Sequence, residues 1–422
     1  MFLLESFVLD LQNYLIGTRE IDHGMIELRL EKPAKVGDVS FPLSIRNWSH
    51  LLNGGQCTGD CISILDYKGS KKDLGNQIEQ LRMESLKWTI QIDKILMNNK
   101  QTHLNISLSR TSKLFKSVLK EVIEAEKTYG SSDFIRNKVH LDLFPNNDLN
   151  SESSLTCLRL HLLKEITANL LKASTCSETD RESRITLSLQ PVDDRSKNVI
   201  CGPVLTENGN RNSTTVQQLY EKRASDMRMM AQHKYGVQIT PSSTWETYFA
   251  NLGKGCVTIE MMSNKPQKAI KVTQNDLQTA HKGPCFIFYN CARLAALFKK
   301  FEKLVTRKEY PDLPEIDGVD FSLLTQQEEW ELFYAYILQY PIVVKSCIKH
   351  IETGVVNPQY LVTFLSKLAS LFSVYYRRVR ILTNPREHMF AVVHARMYLL
   401  KAIQYVFHNA LDLLNIEPIR EM

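Results

Sequence analysis

Gln359-Tyr-Leu-Val-Thr-Phe-Leu-Ser-Lys-Leu-Ala-Ser-Leu-Phe-Ser-Val-Tyr-Tyr-Arg-Arg-Val-Arg380 is the stretch from which the C-terminal fold is read. Leu361, Phe364, Leu365, Leu368, Leu371, Phe372 and Tyr375 recur at spacings of three and four, the period of an amphipathic helix. Phe390, Val393, Met397, Leu400, Phe407, Leu411 and Leu414 repeat the pattern. Tyr340-Pro341, Asn357-Pro358 and Asn384-Pro385 are breakers between such runs, because proline lacks the N–H a helix interior needs. From Gly283 onward the chain therefore predicts an all-helical bundle, residues 283–422.

Upstream the periodicity changes. Val139, Leu141 and Leu143 alternate with His140 and Asp142, the period of a strand. A polar loop runs from Pro145 to Ser154, and Leu155, Leu158, Leu162, Ile166 and Leu170 then mark a helix. Ile185, Leu187 and Leu189 alternate again, so strand, loop, helix, strand predicts a parallel α/β unit within residues 131–282. A further helix is expected over Thr215 to Tyr235, and the β-branched run Val257 to Met261 reads as a short strand. Residues 1–130 open on an amphipathic helix and have no role that the sequence discloses. The opening residues lack a basic leader, and Glu5 and Asp10 interrupt their apolar run, which argues against a signal peptide or a membrane span.

Composition excludes little. The chain has 422 residues, 43% apolar and 23% charged, as ordinary globular proteins do. Nine cysteines in no framework spacing predict reduced thiols, in the cytoplasm or also the nucleus. Cys57 and Cys61 form a close pair with no second Cys/His pair to complete a zinc site, so no metal is expected. No cofactor is called for. The net charge of +6 is unevenly placed. Residues 301–340 carry three Lys/Arg against nine acids, whereas residues 341–422 carry ten against five. The densest basic spot is Tyr375 to Arg380, with Arg386 and His388 beyond it. Aromatic rings interleaved with arginines suit unpaired RNA, where rings stack on bases and guanidinium groups hold phosphates. A solvated helix end, its cations opposing the dipole, has the same composition.

Several segments of the bundle resemble the DALR anticodon-binding domain of arginyl-tRNA synthetases. Phe286-Ile-Phe-Tyr289-Asn-Cys-Ala-Arg293 is similar to that domain's opening helix, with its Tyr and Arg four apart. Gln339-Tyr-Pro-Ile-Val-Val344 resembles its aromatic-Pro-x-Val-Val turn, and Phe372-Ser-Val-Tyr-Tyr376 the end of a later helix. Ala395-Arg-Met-Tyr-Leu-Leu-Lys-Ala402 and Leu411-Asp-Leu-Leu-Asn-Ile416 resemble its final helix. The family commonly ends Glu-Arg-Met, and this chain ends Arg420-Glu421-Met422. Val139 to Leu171, Cys201 to Gly209 and Val257 to Pro284 are similar, more loosely, to parts of the synthetase catalytic domain. The implied fold is a degenerate class I synthetase-like, Rossmann-type α/β region followed by an all-α DALR anticodon-binding bundle.

The departures matter as much. Class I synthetases place a His-Ile-Gly-His motif where the first helix begins, and here Pro145 to Ser154 contains no histidine and two acids, Asp148 and Glu152. Carboxylates there oppose the phosphates that a helix N-terminus would attract. The second signature needs a mobile lysine, and Gly209-Asn-Arg211-Asn-Ser-Thr214 offers an arginine and no lysine. Losing one such group costs ~10²–10³ in rate, so no aminoacylation is expected. A DALR domain behind a decayed catalytic domain resembles the DALR anticodon-binding domain-containing protein 3 family. Cys201-Gly-Pro-Val, Tyr289-Asn-Cys-Ala-Arg-Leu294 and Asp320-Phe-Ser-Leu-Leu324 are similar to its wording. That resemblance implies a non-catalytic adaptor. It would recognise arginine tRNAs and present them to a tRNA methyltransferase forming 3-methylcytidine in the anticodon loop.

By the same resemblance Tyr289, Arg293 and Tyr376 are expected at the anticodon, with Arg377, Arg378, Arg380 and Arg386 on phosphates and Met422 nearby. Tyr289 and Arg293, at i and i+4, project from one helix face. A core ring is the alternative for Tyr289. Arg396, deep in an apolar helix, together with His388 and His394, is expected to be structural. Two other readings compete: a protein-interaction scaffold that has abandoned RNA, and a divergent active arginyl-tRNA synthetase.

Overall fold

The computed structural model describes residues 2–18, 25–29, 37–52, 62–67, 73–145, 148–175, 182–192, 197–235, 243–273, 283–383 and 386–419. Two compact units emerge: residues 1–120 with 314–339, and residues 121–313 with 340–422.

In the first unit, helix α1 (Leu3–Ile16) buries Leu4, Phe7, Leu11 and Leu15 and ends on Gly17 at φ 81°. Strands β1 (Glu27–Leu28), β2 (Val39–Pro42), β3 (Ile92–Met97) and β4 (His103–Leu108) form an antiparallel sheet in the order β1-β2-β4-β3. Helix α2 (Leu74–Ser85) precedes β3, and α3 (Ser112–Ala125) follows β4. A segment distant in sequence completes this core. Residues 327–331 form a short helix that runs into a π-helical stretch, Leu332–Leu338, in which every side chain is buried. The rings of Trp330 and Phe333 lie 5.8 and 4.2 Å from that of Phe115.

Asp38 ties the segment down. Its carboxylate accepts from Leu108 N at 2.7 Å and Trp330 Nε1 at 3.1 Å, and its carbonyl accepts from Tyr334 Oη at 2.6 Å. Burial holds the carboxyl above its usual range despite these donors. The folded unit therefore keeps a proton that the unfolded chain would release, and gains stability as pH falls through the carboxylate range. Asp38→Ala orphans two buried N–H groups, and should lower the stability of this unit by about 3 kcal/mol. Denaturant titration followed by tryptophan emission reads that loss; an unchanged midpoint would contradict the network.

In the second unit, β5 (Lys138–Phe144), β6 (Glu182–Ser188) and β7 (Lys197–Ile200) form a parallel sheet in that order. Helix α4 (Leu155–Lys172) crosses from β5 to β6 and buries Leu155, Leu158, Leu162, Ile166 and Leu170, the stripe its spacing predicts. Strand β8 (Val204–Leu205) pairs with β9 (Ile270–Lys271), and between them α5 (Val216–Tyr235) and α6 (Ser243–Met261) form a hairpin. Val257 to Met261, expected as a strand, is instead the last turn and a half of α6. Tertiary packing overrides its β-branched residues. Phe249, Leu252, Cys256 and Ile259 fall on one buried helical face. A Cβ on Gly253 would stand 2.6 Å from Ala224 N, so glycine there lets the two backbones close up.

The bundle consists of α7 (Pro284–Thr306), α8 (Tyr340–Ile348), α9 (Gln359–Arg378) and α10 (Glu387–Leu413). Pro358 precedes α9 as expected. The π-helical stretch ends at Leu338 and α8 begins at Tyr340, so Tyr340-Pro341 marks a break between two helical elements, with Pro341 in the first turn of α8, where its missing N–H costs nothing. Asn384-Pro385 lies outside the described residues. Two findings cut across the division at 130 and 282. Residues 314–339 belong to the first unit, and residues 131–282 share one unit with the bundle. Asn415 Nδ2 donates to Glu165 Oε2 of α4 at 2.9 Å, and Asn169 Nδ2 to Asp412 O at 3.3 Å. Arg396 is buried, as a structural arginine should be, and burial lowers the pKa of His394.

Candidate nucleic-acid interface

Tyr289 and Arg293 lie one turn apart on α7, and Tyr376 lies near the end of α9. The structure brings all three together. The Arg293 guanidinium carbon sits 4.3 Å from the Tyr289 ring centroid and 4.8 Å from that of Tyr376, within cation–π range of both. Its Nη2 donates to Tyr289 Oη, and its Nη1 to Asn290 Oδ1 at 3.4 Å. Asn290 is itself buried, and its Nδ2 donates to Phe286 O at 2.8 Å. The arginine is thus oriented before any ligand arrives. Tyr289 is half-buried rather than a core ring, and Tyr376 is 37% exposed and packs edge-to-face with Phe372.

Beside this group opens a cleft of about 410 Å³. Arg293, Ala296, Leu297 and Lys300 of α7 form one wall; Tyr376, Val379, Arg380, Ile381 and Leu382 form the other. Its local geometry follows from how α9 ends. Val379 N still bonds to Tyr375 O at 2.8 Å, but Val379 itself is extended, at φ −107° and ψ 120°. Period-two alternation takes over, burying Val379 and Ile381 and turning Arg380 outward. Among the described residues three cations line the cleft and no acid does. An exposed ring, apolar walls and cations suit a stacked base with its phosphate.

Of the residues singled out by sequence, Tyr289, Arg293, Tyr376 and Arg380 converge here. Arg377 and Arg378 are exposed at the end of α9 without lining the cleft, and Arg377 Nε donates to Ser373 O at 3.3 Å. Arg386 is exposed at the start of α10. Met422 lies outside the described residues, as do Cys57 and Cys61. Lys300 escaped the sequence reading. Its signal was its spacing, seven residues or two turns beyond Arg293 and so on the same face of α7.

Residues 151–154 of the first signature stretch and the turn of the second are both pinned. Ser154 caps α4 by accepting from Cys157 N at 3.2 Å. The N–H groups of Val216 and Gln217, at the start of α5, go to the carbonyls of Ser153 and Ser151 at 3.1 Å each. Asp148 and Glu152 are exposed beside them. After β8 the chain closes a tight turn, with Thr206 N bonded to Asn210 O at 2.9 Å and Gly209 at φ 81°. Asn212 Nδ2 then donates to Val272 O at 3.0 Å.

Comparison with known proteins gives the class. Residues 287–422 match the family model of the DALR anticodon binding domain, so the C-terminal third of the chain belongs to that domain family. The whole fold is that of arginyl-tRNA synthetases. It superposes on the Thermus thermophilus enzyme with a TM-score of 0.61 at 11% identity, covering 99% of each chain. On the Plasmodium falciparum enzyme it scores 0.63 at 10% identity, covering 100% of each. More particularly, the chain is similar to DALR anticodon-binding domain-containing protein 3. The Rattus norvegicus protein is 31% identical over 254 residues, 58% of this chain and 47% of that one. The Danio rerio protein is 32% identical, over 53% of this chain and 41% of that one. The chain spans about half the length of the curated relatives it matches. An arginine–tRNA ligase of Syntrophotalea carbinolica is 34% identical over 26% of this chain.

Proposed function

We propose that this chain is a non-catalytic tRNA-binding adaptor. It holds the anticodon region of arginine tRNAs at the Tyr289–Arg293–Tyr376 cleft and presents them to a methyltransferase that forms 3-methylcytidine in the anticodon loop. The observation that carries the reading is a contrast within one chain. The anticodon cleft keeps a stacking ring and three cations, whereas both signature stretches lack their catalytic histidines and lysine. Backbone groups of Ser151, Ser153, Thr206 and Asn210 are bonded within the protein, which favours a rigid remnant over a loop that closes on ATP. The arginine specificity and the methyltransferase partner rest on similarity to DALR anticodon-binding domain-containing protein 3, and the site of action would be the cytoplasm or also the nucleus.

The test has two arms. Purified chain should bind arginine tRNAs at least about tenfold tighter than other tRNAs at matched salt, since salt alone sets the non-specific background. It should support no arginine-dependent exchange of pyrophosphate into ATP. Cells lacking the protein should lose 3-methylcytidine from arginine tRNAs and keep it elsewhere. Equal affinity for all tRNAs would reduce the protein to a general RNA binder, and measurable charging would restore the synthetase reading. Absence of tRNA binding would favour a protein-interaction scaffold.

A further inference from the structure

Parallel sheets nearly always have both faces covered and their edges protected. The sheet β5-β6-β7 departs from this. Among the described residues β5 pairs with β6 alone, so it is an edge strand, and it is seven residues long. One of its faces carries Lys138, His140, Asp142 and Phe144, all exposed, Phe144 by 53%. The other carries Val139, Leu141 and Leu143, each half-buried.

The strand Lys138-Val-His-Leu-Asp-Leu-Phe144 is complementary to itself when reversed about Leu141. In an antiparallel pair, opposed residues share a face. Centred on Leu141, such a pair sets Val139 opposite Leu143 and Leu141 opposite Leu141 on the apolar face. On the other face it sets His140 opposite Asp142 twice, and Lys138 beside Phe144. The flanking charges continue the pattern. Asp142 already meets Arg184 Nε at 3.3 Å, and His140 Nε2 meets Glu182 Oε1 at 3.4 Å. A second copy would place its His140 opposite Asp142, so that each Asp142 lies between Arg184 of its own copy and His140 of the other. Shifting the centre to His140 would set Asp142 opposite Lys138 but leave Leu143 and Phe144 without partners in the strand, so only the Leu141 register pairs all seven residues.

We propose that β5 is a self-association edge, through which two copies of this chain pair antiparallel about Leu141 into one six-stranded sheet. The two-fold axis through Leu141 makes the contact closed, so it yields a dimer and no fibre. Two strands bury less than a standard interface, which points to a dissociation constant of roughly 10–100 µM. The inference does not depend on RNA binding.

Sedimentation velocity of the full chain, from about 1 to about 200 µM, reads the association directly. Wild-type chain should move from monomer to dimer. His140→Asp alone sets two carboxylates against two, and Asp142→Lys alone removes both carboxylates that face His140; each should weaken the dimer at least about tenfold. Mixed in equal amounts, these two variants set Asp against Lys and His against Asp, and should recover the dimer to within about threefold of wild type. Both substitutions lie on the exposed face, and circular dichroism checks that each variant remains folded. Wild-type chain that stays monomeric at the top concentration overturns the proposal, whether or not another protein's strand takes the edge. A dimer indifferent to both single variants overturns it too, as does a mixture no better than its components.

Discussion

Chain carrying Tyr289→Ala and Tyr376→Ala together is expected to lose about 100-fold or more in affinity for an arginine tRNA while remaining folded. Each stacked base–ring contact is worth ~1–3 kcal/mol, so two rings account for that loss without any further contact. The arrangement adds to it. Arg293 lies 4.3 and 4.8 Å from the two ring centroids and donates to Tyr289 Oη, so removing the rings also frees the guanidinium to wander. A charge fixed in place before binding loses less entropy on contact than one that must be ordered. The matched control is Tyr289→Phe with Tyr376→Phe, which keeps both ring faces and should stay within about fivefold of wild type. Arg380→Ala should act differently, weakening all tRNAs alike and flattening the salt dependence by about one unit of slope. Filter binding across a salt series separates the cases. Unchanged affinity in the double alanine variant would remove the cleft from RNA recognition altogether.

The largest expected effect on stability falls on Arg159, which no functional argument singles out. It sits on α4, directly behind the stretch where a synthetase would hold ATP, yet it is fully buried. Its Nε donates to Met261 O at 3.1 Å, Nη1 to Gly202 O at 2.8 Å and Lys268 O at 2.7 Å, and Nη2 to Lys265 O at 3.4 Å. One planar fork thus joins α4 to the turn after β7 and to the loop between α6 and β9, an arrangement lysine cannot reproduce. Burial lowers its pKa, but an arginine keeps its charge, and the ring of carbonyl dipoles is what stabilises that charge here. Arg159→Met preserves the apolar stem and takes the guanidinium from the carbonyls of Met261, Gly202 and Lys268, while Lys265 O keeps the N–H of Lys268. The expected cost is about 3–5 kcal/mol, and Arg159→Lys should fall between the variant and wild type. Thermal melts of the full chain measure it. A loss below about 1 kcal/mol would mean that water replaces the guanidinium in that cavity.

Much of the fold was legible because its elements announce themselves locally. The stripes of α4, α9 and α10 are runs of apolar residues at spacings of three and four, and they proved buried except at Leu371 and Phe390, which are half-buried. The alternation of β5 and β6 was equally plain. Val257 to Met261 misled because propensity is weak against packing: its β-branched residues continue α6, whose buried face closes on α5 through Gly253. The place of residues 314–339 was invisible, since Trp330 and Tyr334 reach Asp38 across nearly three hundred residues of chain.

The candidate site divides in the same way. Tyr289 and Arg293 were readable as partners, because one helical turn dictates that they share a face. The residue types at the two signature stretches were readable too, since the absence of histidine and lysine is a chemical fact of the chain itself. Tyr376 meeting Arg293, Lys300 joining Arg380 across a cleft, and the capture of Arg159 by four carbonyls all depend on the packing of separate elements. Local periodicity fixes which way a side chain leaves its own helix or strand. Which residues then meet depends on distances between elements that only the assembled core sets.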